Sequence, residues 1–442
     1  MSVEAQKLGI HMPAAYGAGK RLAIIGRNVV GAGILAAGVA KRLEPISAII
    51  AKPAFPLGGC VPIAETWVRR LEDLGVSELA MNLHRVPESI KGHFGNGEKF
   101  LVNINYVDEA QPSGTLGGAL KMMRALKSRI NGSFTTMIVP SGDIVSEISL
   151  EDFERMLALH RQNGAAVTLM LTSVPWERVR EFGTAQLQGI ELKAGSSIPR
   201  STFGNLVDFK EKDPRSTSNL INASCYFIET RFLEDVEGDL TECTTDTSLV
   251  PEPFHDFGRQ VFPAMLGKLP YKSHLAKYKD KLFGFVSDAR WFDVGRKRDY
   301  LDVNKAVLDG QVNLHLPYNK YSWGWIGSGV DIDLAKVTII PPVVIGNNCE
   351  ILDGAVIGPY AVIGDGWLIQ EDARVQNSVL WQHLPYSNIS KRRMVNRGVT
   401  VSSSIVVGGT IRSDVSNKTV DVADNGELII SDIDTVPDGP RA

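Results

Sequence analysis

A six-residue repeat in the last third of the chain constrains the fold more than any other feature. Aliphatic side chains recur at every sixth position without a slip: Ile339, Ile345, Ile351, Ile357, Ile363, Ile369 and Val375. The fifth place of each hexad is mostly small or apolar: Val343, Cys349, Ala355, Ala361, Trp367, Ala373 and Val379. An α-helix repeats about every 3.6 residues and an ordinary strand about every 2, so neither explains this period. The repeat therefore predicts a stacked parallel β-helix with an aliphatic interior column.

The repeat also predicts where the C-terminal domain begins and ends. Residues 381–398 interrupt it and are predicted to form a loop, after which Val399, Ile405 and Ile411 return to the six-residue phase. Residues 331–442 are expected to form the β-helix domain, ending in an acidic tail. Residues 311–330 contain Pro317 and several glycines and are predicted to be a linker.

Upstream of the linker, apolar strand patterns alternate with longer helical patterns, as in layered α/β folds. The predicted strands are 79–83, 136–139, 166–171 and 223–228, and the predicted helices are 63–74, 117–128, Leu150–Gln162 and 299–308. Residues 34–310 are therefore expected to form an α/β domain. Residues 1–33 are left as an N-terminal extension in which 21–25 has a strand pattern.

Residues 35–59 read LAAGVAKRLEPISAIIAKPAFPLGG and have the composition of a triphosphate-binding segment. Small residues let backbone N–H groups approach a phosphate, and nearby basic side chains neutralise its charge. Two common glycine motifs do not fit. Gly33 and Gly38 have Walker A spacing, but Val39 follows where a lysine is required. The dinucleotide motif fails because Ala36 stands at its third glycine.

The segment resembles the signature of the sugar-1-phosphate nucleotidylyltransferases, L-A-G-G-x-G-T-R-L-x-P-L-T-x-x-x-P-K-P. The matching residues are Leu35, Ala36, Gly38, Arg42, Leu43, Pro45, Lys52 and Pro53. Ala40, Lys41 and Ala51 depart from it, since the family has glycine, threonine and proline there. The resemblance implies a Rossmann-like nucleotidyltransferase domain. The hexads resemble the left-handed β-helix that follows this domain in several branches of the family.

Two aspartates are predicted to hold a metal ion. Asp143 ends the segment VPSGD directly after a predicted strand, where ligands bind in doubly wound sheets. Asp293 lies in WFDVG, and the small Gly295 leaves room beside it. In the family these two motifs supply the metal-binding aspartates, which implies that Asp143 and Asp293 bind Mg²⁺ together with substrate phosphates.

The resemblance also implies a nucleotide-binding set. Residues 109–120, EAQPSGTLGGAL, resemble the family segment E-x-P-L-G-T-A-G-A-L, in which a glycine lets a flat base pack on the backbone. The residues expected to contact the nucleotide are Leu35, Ala36, Ala37, Gly38, Lys41, Gly114 and Thr115.

The sugar is expected to bind the later half of the α/β domain. NLVDFKEKDP, residues 205–214, resembles the family strand V-x-x-F-x-E-K-P, which implies that Glu211 accepts hydrogen bonds from sugar hydroxyls and Lys212 holds the sugar phosphate. NASCY resembles the family's N-A-G-x-Y and implies that Asn222 binds sugar, with Ser224 in place of glycine. Gly183 stands where the family has Tyr-Gly before a strand, and it is expected to line the same pocket.

These motifs imply that an NTP and a sugar 1-phosphate give an NDP-sugar and pyrophosphate. Both reactants are anionic, so positioning and charge neutralisation carry the catalysis. Arg42 is expected at the β/γ-phosphates, Lys52 near the α-phosphate and Lys212 at the sugar phosphate, with Asp143 completing the catalytic set.

The base and the sugar are less constrained than the reaction. The resemblance favours a purine nucleotide, GTP ahead of ATP, and a sugar or cyclitol 1-phosphate. The three departures from the signature keep open a catalytically silent relative that only binds a nucleotide sugar. An acyltransferase working in the β-helix would need a base there, and His383 in the predicted loop is the one histidine of residues 331–442.

Composition agrees with a globular protein of two domains. The 442 residues are 44% apolar and carry a net charge of −3, which excludes the basic surplus typical of nucleic-acid binding. The cysteines at 60, 225, 243 and 349 form no C-x-x-C pair and are expected to be free thiols in a reducing compartment. Arg27 and several glycines interrupt the most apolar stretch, so no membrane span is expected. A cytoplasmic location is therefore predicted. Because aliphatic hexad domains often pack against one another, a homo-oligomer, dimer or tetramer, is expected as well.

Overall fold

A computed structural model describes residues 30–130, 134–190, 201–243, 255–268, 274–382, 393–422 and 428–433. The predicted strand at 21–25 lies outside these residues, as do most of the predicted N-terminal extension and the end of the predicted acidic tail. His383 and residues 383–392 of the predicted loop lie outside them too.

Among the described residues, nine strands form one mixed sheet at the centre of the α/β domain. In spatial order they are Asn103–Asp108, Glu78–Leu83, Val30–Leu35, Thr136–Pro140, Leu220–Glu229, Val167–Ser173, Leu282–Val286, Phe203–Glu211 and Gly183–Leu187. The first four strands are parallel, and Leu220–Glu229 runs antiparallel to both of its neighbours. All four predicted strands are confirmed in type, with ends that differ by at most three residues.

The helices cover this sheet and join its strands. Those of the described residues are Ile46–Ile49, Ile63–Asp73, Pro87–Phe94, Gly114–Lys127, Leu150–Gln162, Thr230–Cys243, Phe262–Met265 and Lys297–Leu308. Short 3₁₀ segments are Lys41–Leu43, Lys52–Ala54, Glu98–Phe100, Trp176–Glu181 and His274–Lys281, and Phe257–Val261 is a π-turn. Leu150–Gln162 has the predicted bounds because Ser149 caps it, accepting a hydrogen bond from the Asp152 N–H at 3.1 Å. None of the described helices combines the length and apolar character that a bilayer crossing requires.

The C-terminal region is a β-helix, as the repeat predicts. Its strands are Asn319–Tyr321, Gly324–Ile326, Asp331–Ile332, Thr338–Ile339, Val343–Ile345, Glu350–Ile351, Val356–Ile357, Ala361–Ile363, Leu368–Ile369, Arg374–Gln376, Val379–Leu380, Arg393–Val395, Thr400–Ser402, Ile405–Val406, Gly409–Ile411, Val415–Ser416, Lys418–Val422 and Leu428–Asp432. Parallel strands three hexads apart pair in three sheets, so that Ile345 lies beside Ile363 and Ile351 beside Ile369. The residues at the fifth place of the hexads are buried as well.

The predicted phase after residue 375 is wrong in part. Leu380, one residue short of a full hexad, pairs with Ile363 in the column, and Val406 pairs with Leu380. Val401 pairs with Val375, so Val399 and Ile405 both leave the column, whereas Ile411 remains in it beside Val395. The physical reason is a tighter corner between two sides of the coil. The residue in each such corner has a left-handed backbone and turns the chain in fewer residues; these residues are Asn377, Ser403 and Asn417.

The segment predicted as a linker is partly built into the β-helix. Gly324–Ile326 pairs in parallel with Val343–Ile345 and antiparallel with Asn319–Tyr321. The glycines that suggested a flexible connection serve close packing instead. A side chain at Gly324, where φ is +149°, would overlap the backbone carbonyl of Val343.

Several contacts join the β-helix to the α/β domain, among them an aromatic cluster and a buried lysine. Trp381 of the β-helix packs edge-on against Phe55 and Tyr300, with ring centroids 5.2 and 6.0 Å away, and all three side chains are fully buried. At the other end, the C-terminal strand Leu428–Asp432 accepts hydrogen bonds from the buried ammonium of Lys297, through Ser431 Oγ and the Asp432 carbonyl, both at 3.1 Å. Cys60, Cys225 and Cys349 are free thiols, as expected.

Candidate active site

One ammonium group and two carboxylates meet at the edge of the central sheet. Lys52 Nζ lies 2.6 Å from Asp143 Oδ2 and 3.4 Å from Asp293 Oδ1. Lys52 is only 7% exposed. Ser141 donates a hydrogen bond to the other oxygen of Asp143 at 2.6 Å. Three residues that are far apart in sequence and were predicted from separate motifs therefore lie in one site.

The local backbone explains why the two aspartates meet. Asp143 follows the strand Thr136–Pro140, and the next residues, Ile144–Ser146, form an antiparallel ribbon with Trp291–Asp293 in which Ile144 is the partner of Asp293. The Gly142 N–H donates to the Leu35 carbonyl at 2.8 Å, which fixes the turn against the end of the first strand. This edge is where ligands bind in open α/β sheets.

Charge coupling sets the ionisation of this group. Burial disfavours the charged form of both Lys52 and Asp143, but each is the other's counter-ion. Asp143, with help from Asp293, keeps the pKa of Lys52 above its ordinary value. Lys52 and the Ser141 hydroxyl hold the pKa of Asp143 below its ordinary value despite burial. Lys52 and Asp143 are therefore both charged at neutral pH.

The signature loop is held by a buried polar chain. The Ala36 N–H donates to Asn82 Oδ1 at 2.8 Å, and the Asn82 amide donates to Glu109 Oε1 at 3.1 Å. The second oxygen of Glu109 accepts from the Ser113 N–H and hydroxyl, at 2.7 and 2.8 Å. Glu109 thereby ties the signature loop to the start of helix Gly114–Lys127, the two segments expected to contact the nucleotide.

The second half of the signature loop is open to solvent. Gly38, Lys41 and Arg42 are exposed. The residues at the start of the signature segment are buried: Leu35, Ala36 and Ala37. A Cβ placed on Gly295 would lie 3.1 Å from Arg42 Nη2 and 3.0 Å from Asp293 Oδ2. Arg42 therefore reaches the two-aspartate site, and Gly295 leaves room beside Asp293, as the sequence predicts.

Gly114 and Thr115 contact a segment that motif reasoning missed. The Thr115 hydroxyl donates to Asp256 Oδ2 at 3.2 Å and accepts from the Phe257 N–H at 2.9 Å. The Leu116 N–H donates to the His255 carbonyl at 3.0 Å, and a side chain at Gly114 would overlap that carbonyl. The hydroxyl predicted to meet the nucleotide thus anchors residues 255–257 over the helix start. An N-cap pattern, Asp256 before an apolar run, was the available signal for this contact.

Glu211, Lys212 and Gly183 lie together on the far side of the site. The two side chains pair, with Lys212 Nζ 3.5 Å from Glu211 Oε1. A Cβ at Gly183 would lie 2.5 Å from Glu211 Oε2, so glycine is required for the carboxylate to occupy this place. Burial raises the pKa of Glu211, and Asp256 adds to the effect while Lys212 opposes it.

Asn222 shapes the strand beside this pocket. Its carbonyl oxygen accepts from the Ser224 N–H at 3.0 Å, and its amide donates to the Tyr226 hydroxyl at 2.8 Å. The strand bulges between Asn222 and Tyr226, and Ser224 adopts a left-handed φ of +57°. The Ser224 carbonyl accepts from the Ser141 N–H at 2.8 Å, so the bulge contacts the segment that carries Asp143.

The donor set suits a metal that takes few protein ligands. Across the described residues, no three His, Cys, Asp or Glu side chains converge as a metal cage. Asp143 and Asp293 offer two oxygen groups near one point, which fits Mg²⁺ completed by phosphate oxygens and water.

The fold and the site define an α/β nucleotide-binding transferase domain joined to a β-helix. A family model described as "Nucleotidyl transferase" matches residues 32–310. The chain therefore belongs to the nucleotidyl transferase family, and its relatives are sugar-1-phosphate nucleotidylyltransferases.

Three curated relatives illustrate the range of names in this family. A UTP–glucose-1-phosphate uridylyltransferase of Synechocystis is 27% identical over 79% of this chain and 82% of its own length. A glucose-1-phosphate adenylyltransferase of Desulfitobacterium hafniense is 25% identical over 79% and 83%. A mannose-1-phosphate guanylyltransferase of Mycobacterium tuberculosis is 26% identical over 77% and 83%. Their names contain three different bases and two sugars.

Proposed function

We propose that this protein joins a purine nucleoside triphosphate, GTP ahead of ATP, to a sugar or cyclitol 1-phosphate, giving an NDP-sugar and pyrophosphate. The observation that carries the proposal is the convergence of Lys52, Asp143 and Asp293 at the end of the central sheet. A phosphate oxygen of the sugar attacks the α-phosphorus, and pyrophosphate leaves in line. The relatives' shared reaction supports this chemistry.

The proposed metal is Mg²⁺, held by the carboxylates of Asp143 and Asp293. When bound it neutralises phosphate charge and aligns the attacking and leaving oxygens. Ser141 orients Asp143, and the ribbon between Ile144–Ser146 and Trp291–Asp293 fixes the spacing of the two carboxylates. Because Lys52 is the counter-ion of Asp143, that carboxylate stays ionised without the metal.

The cationic side chains divide the remaining charge. Lys52 is proposed to bind the α-phosphate region, because it is buried beside the aspartates. The exposed Arg42 is proposed to meet the β- and γ-phosphates, with Lys41 and the backbone of Leu35–Gly38 lining the same loop. Lys212 is proposed to bind the sugar phosphate while Glu211, Asn222 and Gly183 line the sugar pocket. Positioning and charge neutralisation are the whole of the catalysis proposed.

The preference for a purine rests on resemblance. By resemblance, the segment at Gly114 and Thr115 and the capping hexads favour the guanylyl and adenylyl branches. Cytoplasmic location and assembly as a dimer or tetramer likewise remain proposals, the latter testable by light scattering during gel filtration.

The first experiment measures pyrophosphate release with Mg²⁺ for five nucleotides, GTP, ATP, UTP, CTP and dTTP, against a panel of sugar and cyclitol 1-phosphates. Asp143→Asn is expected to lower kcat/KM about 100-fold or more, because one of two metal carboxylates loses its charge. Asp302→Asn, an exposed carboxylate on helix Lys297–Leu308, is the matched control and should leave the rate unchanged.

Two outcomes separate the enzyme from a silent relative. Release that depends on one substrate pair and is lost in Asp143→Asn establishes the reaction and the base. If the protein releases no pyrophosphate from any pair but melts at a higher temperature with a nucleotide sugar, it is a silent binder. The departures from the signature at Ala40, Lys41 and Ala51 are the reason to test for this outcome.

A further inference from the structure

Two arginines near Asp293 take no part in the mechanism above. Arg178 Nη2 lies 3.3 Å from Glu181 Oε2, and Arg296 Nη2 lies 3.6 Å from Glu181 Oε1. Each oxygen of the Glu181 carboxylate therefore lies beside one guanidinium. Together these three side chains carry a net positive charge. Arg178 and Arg296 are called the arginine pair below.

The arginine pair lies beside the proposed sugar-phosphate residue. Phe182, which follows Glu181, accepts a hydrogen bond from the Lys212 N–H at 3.1 Å. Arg178 lies over the Phe182 ring at 5.4 Å from its centroid, and that ring packs edge-on against Trp291 at 5.3 Å. The two segments that carry the arginines are thereby fixed between Lys212 and the ribbon of Asp293.

Arg296 belongs to the same turn as the metal-binding carboxylate. It follows Asp293 by three residues, and its N–H donates to Asp299 Oδ2 at 2.8 Å, which caps helix Lys297–Leu308. The Asp299 carboxylate accepts this backbone hydrogen bond, and its charge also attracts both guanidiniums at longer range. Arg178 and Arg296 keep 39% and 44% of their side chains exposed and are accessible to a ligand.

We propose that the arginine pair binds the phosphate of the sugar 1-phosphate together with Lys212. This inference rests on the proposed function and extends its binding site. A phosphate monoester carries about −1.5 to −2 charges at neutral pH, which one lysine does not balance. Guanidinium groups match phosphate oxygens in a planar fork, whereas an ammonium acts as a point charge. The phosphate must approach a second anion to react, so the added cations lower the repulsion where it is greatest.

The test compares Arg178→Gln and Arg296→Gln with two matched controls. Arg180→Gln lies on the same 3₁₀ segment as Arg178, and Arg298→Gln lies two residues beyond Arg296; both arginines are exposed. Each of the first two variants should raise the KM for glucose 1-phosphate or mannose 1-phosphate about tenfold, equivalent to about 1.4 kcal/mol. The KM for the nucleotide should stay within about twofold in all four variants. Arg296→Lys should restore part of the loss, because it returns the charge without the fork.

Direct binding provides a readout that does not need turnover. Calorimetric titration with each sugar 1-phosphate should show the same tenfold weakening in Arg178→Gln and Arg296→Gln but not in the controls, at unchanged melting temperature. Unchanged sugar-phosphate binding, or weakening confined to the nucleotide, would overturn the inference while leaving the proposed function intact. If the two variants show the expected tenfold weaker binding of sugar 1-phosphate but the unaltered protein never releases pyrophosphate, the proposed function is overturned and the role of the arginine pair stands. Absence of all sugar-phosphate binding to the unaltered protein would overturn both.

Discussion

At the scale of single residues, two departures from the family pattern carry backbone strain. Ala40 and Ser224 stand where the resembling motifs have glycine, and both adopt left-handed backbone, with φ of +52° and +57°. A side chain costs roughly 1–2 kcal/mol in that region because Cβ crowds the following carbonyl. The fold therefore keeps the glycine conformation at both positions although the sequence has changed.

Replacing Ala40 by glycine should stabilise the protein. The Ala40→Gly variant is expected to raise the free energy of unfolding by about 0.5–1 kcal/mol, since relief of the left-handed strain exceeds the added flexibility of glycine. Urea denaturation measures the change. Ala48→Gly, on the exposed side of the short helix Ile46–Ile49, is the control and should be destabilising. A destabilised Ala40→Gly would show that the methyl group contributes packing that outweighs its strain.

Motif order named three residues that the fold brings together, but it did not predict their surroundings. Lys52, Asp143 and Asp293 could be named because each lies in a short, distinctive segment. The role of Thr115 as an anchor for Asp256 could not, because the two residues are joined only when residues 255–257 fold over a distant helix start. Glu181, Arg178 and Arg296 likewise lie in unremarkable charged stretches, and only the tertiary fold brings them to one carboxylate.

At the scale of elements, a buried carboxylate joins two helices near the signature segment. The side chain of Glu65, in helix Ile63–Asp73, is 5% exposed. It accepts a hydrogen bond from Arg69 Nε at 2.7 Å and is hydrogen-bonded to His93 Nε2 of helix Pro87–Phe94, also at 2.7 Å. Burial alone would raise the pKa of Glu65, but His93 and Arg69 together hold it below its ordinary value. The ionised carboxylate is therefore a link between the two helices.

This link predicts a pH-dependent stability. Because the pKa of Glu65 is lower in the folded state than its ordinary value of 4.5, its contribution is present above pH 4.5 and is lost as pH falls through the folded pKa. Glu65→Gln should cost about 1–3 kcal/mol at pH 7, and the difference from the unaltered protein should shrink below pH 4.5. Denaturation at a series of pH values measures this. The exposed Glu88→Gln should show neither effect, and a difference that is constant with pH would contradict the link.

The β-helix shows how far a periodic pattern predicts an element. The hexads from Ile345 to Val375 fixed both the column and its pairing, because every coil has three equal sides. The pattern failed at the next corner, where a left-handed Asn377 removes one residue from a side. The strict count places Trp381 in the column where the structure has Leu380, and both residues are apolar, so the sequence pattern alone could not choose between them.

At the scale of the whole molecule, the two domains share a core. Trp381 of the β-helix is buried against Phe55 and Tyr300 of the α/β domain, and the Tyr300 hydroxyl donates to the Pro56 carbonyl at 2.5 Å. Phe55 directly follows the segment Lys52–Ala54. The shape of the segment Lys52–Ala54 is thus supported from the β-helix.

Removing Trp381 should affect both stability and catalysis. Trp381→Ala is expected to lower the free energy of unfolding by about 3–5 kcal/mol because it leaves a cavity between the domains. It should also lower kcat, since Lys52 loses its support, in an assay of pyrophosphate release. Trp176→Ala, at a partly exposed tryptophan, should change stability by less than about 1 kcal/mol. If the Trp381→Ala protein unfolded at the same urea concentration as the unaltered protein, other contacts would be holding the two domains together.

The shared aromatic core also bears on recombination between relatives. A chimera that exchanges β-helices at residue 310 would separate Trp381 from the Phe55 and Tyr300 rings against which it has been fitted. A donor β-helix with a smaller side chain at the position of Trp381 would leave a cavity at the domain interface. A bulkier side chain there would displace the segment Lys52–Ala54. Successful exchange therefore requires these three aromatic residues to be inherited as one unit, although they lie on both sides of the cut.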